Sequence, residues 1–187
     1  PYYNKPTQEG MYRHFMKIAD VGVPVMLYNI PGRSGVALTC ETVYRLSQHP
    51  NIVAIKEATG SLDTASEIAM TCGEDFTILS GDDAMSLPLM SIGGKGVISV
   101  ISNLLPAKIK ALTEAGLSGD FVKARELHLD LFKLCKGMLS IETNPIPIKT
   151  AMMFAGMDTG LLRLPMCEMG EDNKAILKAL LEDCGAL

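Results

Sequence analysis

Short apolar runs rich in β-branched residues alternate along the chain with longer segments whose apolar positions recur at helical spacing. The runs at 23–30, 51–56, 76–81 and 96–100 predict strands, and the segments that follow them, 40–48, 61–72, 83–92 and 106–117, predict helices. Strand then helix, four times over, predicts βαβ units around a parallel sheet, an α/β fold. The strand runs are apolar from end to end, as expected when both faces of a sheet are covered. Their exits are rich in Gly, Asp and Ser, so ligand chemistry is expected at the carboxyl ends of the strands. After residue 118 the pattern is helical only, through 119–137, 144–155 and 171–184, with a kinked join at Asn144-Pro145-Ile146-Pro147. This divides the chain into an α/β portion, 1–118, and a C-terminal helical appendix, 119–187. The segment Pro1-Tyr2-Tyr3-Asn4-Lys5-Pro6 reads as the tip of a strand whose body is missing. A closed (β/α)₈ TIM barrel needs about 250 residues, so the expected architecture is the second half of such a barrel, strands 5–8, with the appendix packed on it.

Composition narrows the function classes. A chain of 187 residues with 48% hydrophobic and 20% charged residues is a globular chain with a sizeable core. A net charge of −4 and the absence of any Lys/Arg cluster argue against nucleic-acid or anionic-membrane surfaces, which need concentrated positive charge. Cys40, Cys72, Cys135, Cys167 and Cys184 are scattered, with no CxxC and no His at zinc-like spacing, and read as reduced cytosolic thiols. No uninterrupted apolar stretch of about 20 residues occurs and the start lacks a signal-peptide pattern, so the expected location is the cytoplasm. Gly93-Gly94-Lys95-Gly96 lacks P-loop spacing and precedes a strand, which makes it a tight turn. His14, His49 and His128 read as surface residues, and the methionines, at helical spacing, as core filling.

Two strand ends carry candidate chemistry. Lys56 closes Ile52-Val53-Ala54-Ile55 and leads into Glu57-Ala58-Thr59-Gly60; Tyr28 lies near the tip of Val23–Ile30, whose exit is Pro31-Gly32-Arg33-Ser34-Gly35. Neighbouring parallel strands lie about 5 Å apart, so an acid/base phenol and a nucleophilic amine could share one pocket. In most proteins a lysine in this position is a solvated strand end, Tyr28 alone is a half-buried core residue, and Arg33 is a loop charge. Context decides between these readings.

The context is a resemblance. Pro1–Pro6, Tyr28-Asn29-Ile30-Pro31-Gly32-Arg33-Ser34-Gly35, Ile55–Gly60, Leu79-Ser80-Gly81-Asp82-Asp83, Gly94–Val100, Asn144–Lys149 and Arg163-Leu164-Pro165, in this order, resemble the dihydrodipicolinate synthase family of pyruvate-dependent class I aldolases and lyases. The resemblance implies a lyase of lysine and diaminopimelate synthesis that joins pyruvate to L-aspartate-4-semialdehyde through a Schiff base, giving 4-hydroxy-tetrahydrodipicolinate. It implies Lys56 as nucleophile, attacking as the free amine, and Tyr28 as proton shuttle. Tyr3 matches a tyrosine that completes the neighbouring subunit's relay, and Tyr2 matches one near a cleft where lysine inhibits many members. Arg33 matches a clamp for the aldehyde's carboxylate, for which a bidentate guanidinium is suited; Ile98, through its carbonyl, and Gly81 match positions lining the pyruvate site. No cofactor or metal is implied, and the family assembles as homodimers or homotetramers. The family's paired threonines have no counterpart here. Sialic-acid and sugar-acid lyases of the same superfamily, which usually carry an apolar residue in place of Arg33, and a non-catalytic half-barrel that only associates, are the competing readings.

Overall fold

In the computed structural model, which describes residues 2–187, three of the apolar runs form a parallel sheet in the order β1 (Val25–Asn29), β2 (Ile52–Glu57), β3 (Thr77–Ser80). The chain is α/β, as expected. Tyr28 is opposite Lys56 and Asn29 opposite Glu57 across β1 and β2; Lys56 is opposite Leu79 and Glu57 opposite Ser80 across β2 and β3. Because successive side chains point to opposite faces, this register sorts the sheet into two sides. Leu27, Ile55 and Ile78 turn toward the helices and are at most 4% exposed. Met26, Tyr28, Lys56 and Leu79 turn the other way, where Met26 and Tyr28 are 43% and 44% exposed. Within this chain the sheet is covered on its helix-facing side and open on the other, although its strand runs are mostly apolar.

The fourth expected strand, 96–100, is reduced to a single parallel bridge between Ser80 and Val97. Its bonds are Ser80 N–H to the Gly96 carbonyl and Ile98 N–H to the Ser80 carbonyl, each 2.9 Å. The run is cut short because Ser99 starts a tight turn: the Ser102 N–H donates to Ser99 Oγ at 2.8 Å, and a 3₁₀ turn follows at Ile101–Asn103. Tyr2 and Tyr3 likewise lie in no strand, and Pro1 lies outside the described residues.

Up to Ile98 the chain forms one compact unit. Its helices are α1 (Gln8–Ala19), the single turn α2 (Pro31–Ser34), α3 (Cys40–Ser47), α4 (Leu62–Cys72) and α5 (Ser86–Met90). The helix expected over 83–92 is split, because Asp82 caps a 3₁₀ turn at Asp83–Met85 by accepting the Ala84 N–H at 2.9 Å. Helix α1 was not read from the sequence, yet Met11, Phe15 and Ala19 fall at i, i+4 and i+8 behind the N-cap Thr7, whose side chain accepts the Gly10 N–H. Thr39 and Ser61 cap α3 and α4 in the same way, each worth about 1 kcal/mol. The core joins Met11 and Ala19 to Leu27, Val43, Leu46, Ile55, Ile68 and Ile78. Leu46 is wholly buried there, so Leu46→Ala should cost the intact protein about 2–5 kcal/mol, read as a lower urea midpoint.

From Ser99 to Leu187 lies a second compact unit. It holds α6 (Pro106–Leu117), α7 (Phe121–Ser140), α8 (Ile146–Phe154) and α9 (Glu171–Asp183). Helix α6 thus goes with the second unit, packed on α7, rather than with the α/β portion to which the alternation assigned it. Leu131, Leu134, Cys135 and Met138 form the buried stripe of α7. Gly137 lets α9 approach: a Cβ there would lie 2.4 Å from Leu180 Cδ1. The Asn144–Pro145 bond in the expected kinked join is cis.

Two minor expectations are corrected. Met11, Met90, Met138 and Met169 fill cores, but Met26, Met70 and Met157 are exposed by 43%, 77% and 53%. His49 is half-buried, its Nδ1 accepting the Asn51 N–H at 3.1 Å while Nε2 meets Asp20 at 3.4 Å. No helix among the described residues is long and apolar enough to cross a membrane.

Candidate active site

Lys56 and Tyr28 occupy the penultimate positions of β2 and β1 and are register partners on the open face of the sheet. The Lys56 Nζ stands 4.1 Å from the centroid of the Tyr28 ring. That geometry is a cation–π contact, worth about 0.5–2 kcal/mol depending on desolvation. It holds the amine over the phenol and at the rim of the strand ends. Space for the lysine comes from Gly81, just past β3: a Cβ at Gly81 would lie 2.6 Å from Ala58 Cβ, 3.2 Å from the Glu57 carbonyl oxygen and 3.1 Å from Lys56 Cε. The Gly81 N–H donates to that carbonyl at 2.7 Å, fixing the turn beside the amine. Ile98 follows on the next exit, tied to Ser80 and 39% exposed.

Arg33 is exposed on α2, the first turn after β1. Pro31 opens this turn and Gly35, at φ 75°, closes it, with the Gly35 N–H on the Pro31 carbonyl at 2.9 Å. The left-handed φ suits glycine. A Cβ at Gly35 would also lie 3.1 Å from Lys5 Cε, so the lysine stem rests on the loop. Ser34 Oγ donates within the loop, with Ile30 O at 2.9 Å and Val36 O at 2.7 Å as acceptors. Further along, Gln8 of α1 donates to the Ala37 carbonyl at 2.8 Å and accepts from the Thr39 N–H at 3.1 Å. Arg33 is thus carried on a loop fastened at several points.

Lys56, Tyr28, Gly81 and Ile98 are brought to adjoining strand exits. Tyr2 and Tyr3 lie in no strand and are 77% and 88% exposed, with Tyr3 at φ 75°, a region unusual for a non-glycine residue. Sequence reasoning missed Asn29 and Glu57. Each directly follows a flagged residue, each is buried (2% and 4% exposed), and Asn29 Nδ2 donates to Glu57 Oε2 at 3.1 Å. The available signal was a polar residue at a helix-facing position of an otherwise apolar strand.

Cys40 and Cys184 are disfavoured as nucleophiles. Burial, then a hydrogen bond with Glu67, pushes the Cys40 thiol up to about 11, and burial also raises Cys184; thiols so shifted are unreactive at neutral pH. Among the described residues no group of three or more His, Cys, Asp or Glu side chains is placed to hold a metal ion. A hollow of about 410 Å³ is lined by Cys40, Glu41, Tyr44, Glu67 and Thr71 on α3 and α4, on the helical side of the sheet and away from the amine.

The model of the dihydrodipicolinate synthetase family matches residues 1–184. The chain belongs to that family. A 4-hydroxy-tetrahydrodipicolinate synthase of Geobacter sulfurreducens is 53% identical over 184 residues, which are 98% of this chain and 63% of the relative. The crystal structure of dihydrodipicolinate synthase from Aquifex aeolicus matches all of this chain and 64% of its own at a TM-score of 0.96 and 46% identity. The chloride-inhibited synthase from Acinetobacter baumannii, complexed with pyruvate, matches all of this chain and 64% of its own at a TM-score of 0.97 and 37% identity. The chain therefore spans a little under two thirds of the synthetase relatives it matches.

Proposed function

We propose that the intact protein is a lyase that condenses pyruvate with L-aspartate-4-semialdehyde to 4-hydroxy-tetrahydrodipicolinate, a step of lysine and diaminopimelate synthesis, and that this chain supplies consecutive βα units of its (β/α)₈ barrel. The observation that carries the chemistry is the pairing of Lys56 and Tyr28, with Nζ 4.1 Å from the ring. An amine beside a phenol at a strand exit is suited to imine chemistry on a ketone. Lys56 Nζ adds to C2 of pyruvate and water leaves, giving an imine. Loss of a methyl proton gives an enamine whose carbon attacks the aldehyde, and Tyr28 gives a proton to the new alkoxide. The substrate's own amine then attacks the imine carbon, closing the ring and releasing Lys56. The imine itself serves as electron sink, so the reading calls for no cofactor.

Gly81 and Ile98 line the pyruvate end in this reading. Arg33 holds the aldehyde's carboxylate. The exposed Tyr3 is suited to reaching a neighbouring subunit of a homodimer or homotetramer, and Tyr2 to a regulatory cleft beside it. We place the intact protein in the cytoplasm.

Kinetics on Arg33→Ala test the assignment against other pyruvate aldolases. A lost charge-assisted hydrogen-bond pair costs about 1.5–3 kcal/mol, so the KM for aspartate semialdehyde should rise about 10–100-fold while borohydride trapping of pyruvate is retained. An unchanged aldehyde KM would shift the assignment to an aldolase whose aldehyde lacks that carboxylate.

A further inference from the structure

Glu57 presents an unusual arrangement. Its neighbour Lys56 lies on the open face, so its own side chain turns to the helical side, where it is 4% exposed. A carboxylate taken out of water is costly unless its oxygens are well bonded. Here the donors are neutral: the Thr59 N–H reaches Oε1 at 2.6 Å and the Asn29 amide reaches Oε2 at 3.1 Å. Asn29 spends the rest of its amide on one residue. Its Oδ1 accepts the Leu38 N–H at 3.0 Å and its Nδ2 donates to the Leu38 carbonyl at 3.3 Å. Leu38 is the point at which the loop bearing Arg33 returns to the core, and it is 5% exposed. One carboxylate thus bridges the exit of β2, through Thr59, and the return of the loop after β1, through Asn29.

We propose that Glu57 and Asn29 form a positioning pair that sets the Arg33 loop at its working distance from Lys56, and so governs binding of the carboxylate-bearing aldehyde rather than imine formation. The proposal rests on the lyase reading for its substrate, but not for its geometry. Asn29 takes the place of a backbone partner for Leu38, and Glu57 fixes which way the amide faces by accepting from Nδ2. Glutamine at position 57 keeps the volume, yet its NH₂ cannot accept from the donor it would then face.

The experiment compares the intact parent protein with Glu57→Gln, Asn29→Ala and the double variant. The KM for aspartate semialdehyde should rise about tenfold or more in each single variant, with pyruvate KM and borohydride trapping on Lys56 within about twofold of the parent. The double variant should be no worse than the more damaged single one, because the two side chains act as a unit. Loss of pyruvate trapping in step with aldehyde use, additive losses, or an unchanged aldehyde KM would each overturn the pair. Hydrogen exchange at the Leu38 amide gives a readout free of turnover. It should quicken about tenfold or more in Glu57→Gln, and unchanged protection overturns the proposal whatever the protein catalyses. A parent that neither traps pyruvate nor consumes the aldehyde defeats the lyase reading and leaves the exchange result to decide the pairing. Should Glu57→Gln not fold, Asn29→Ser, which removes the bridge to Leu38 and leaves Thr59 on Glu57, carries the same readings.

Discussion

Lys56→Ala in the intact protein should yield no borohydride-stable pyruvate adduct and lose at least about 10³-fold in turnover, since removal of the proposed covalent nucleophile leaves only binding and positioning behind. The structure makes this substitution clean. Lys56 lies on the open face, half-buried, and its removal gives up a cation–π contact with Tyr28 without touching the helix-facing core of Leu27, Ile55 and Ile78. Thermal stability should therefore change by about 1 kcal/mol or less. Peptide mass spectrometry of the parent after reduction should find the pyruvate-derived mass on Lys56. An adduct mapped to another lysine, or trapping that survives in Lys56→Ala, would remove the amine from the mechanism.

Tyr28→Phe is the second large effect, and it separates two roles that the geometry leaves superimposed. The ring under the Lys56 amine is a platform that phenylalanine also supplies; the hydroxyl, the proposed proton carrier, is what phenylalanine lacks. With the hydroxyl as shuttle, kcat should fall about 10²–10⁴-fold while the adduct on Lys56 still accumulates, more slowly than in the parent. If the ring is only a support, Tyr28→Phe will match the parent in both assays, and Tyr28→Ala alone will be impaired.

The parallel sheet and the Lys56–Tyr28 pairing were legible because both rest on local pattern: apolar runs of strand length, each with a reactive residue at or near its tip. Hydrophobicity alone does not report which side of a sheet is covered, so Met26 was read as buried although its register places it beside Tyr28 on the open side. The run at 96–100 has strand composition, but the turn held by Ser99 and the 3₁₀ turn behind it end the pairing after Val97. Helix α1 directly follows the strand-like Pro1–Pro6 segment, although Met11, Phe15 and Ala19 carry a plain helical period. Glu57 and Asn29 were hidden for a different reason. Their significance lies in what they touch, 28 residues apart along the chain, and no spacing rule signals that contact.

Gly81 carries an implication for how this site can diversify. The floor beside the amine is shaped by a hydrogen atom, because even one methyl group there would collide with Ala58 and crowd the Lys56 stem. New substrate preferences therefore have little freedom to arise from below. In the proposed lyase they fall to the turn between Pro31 and Gly35, which carries the exposed Arg33.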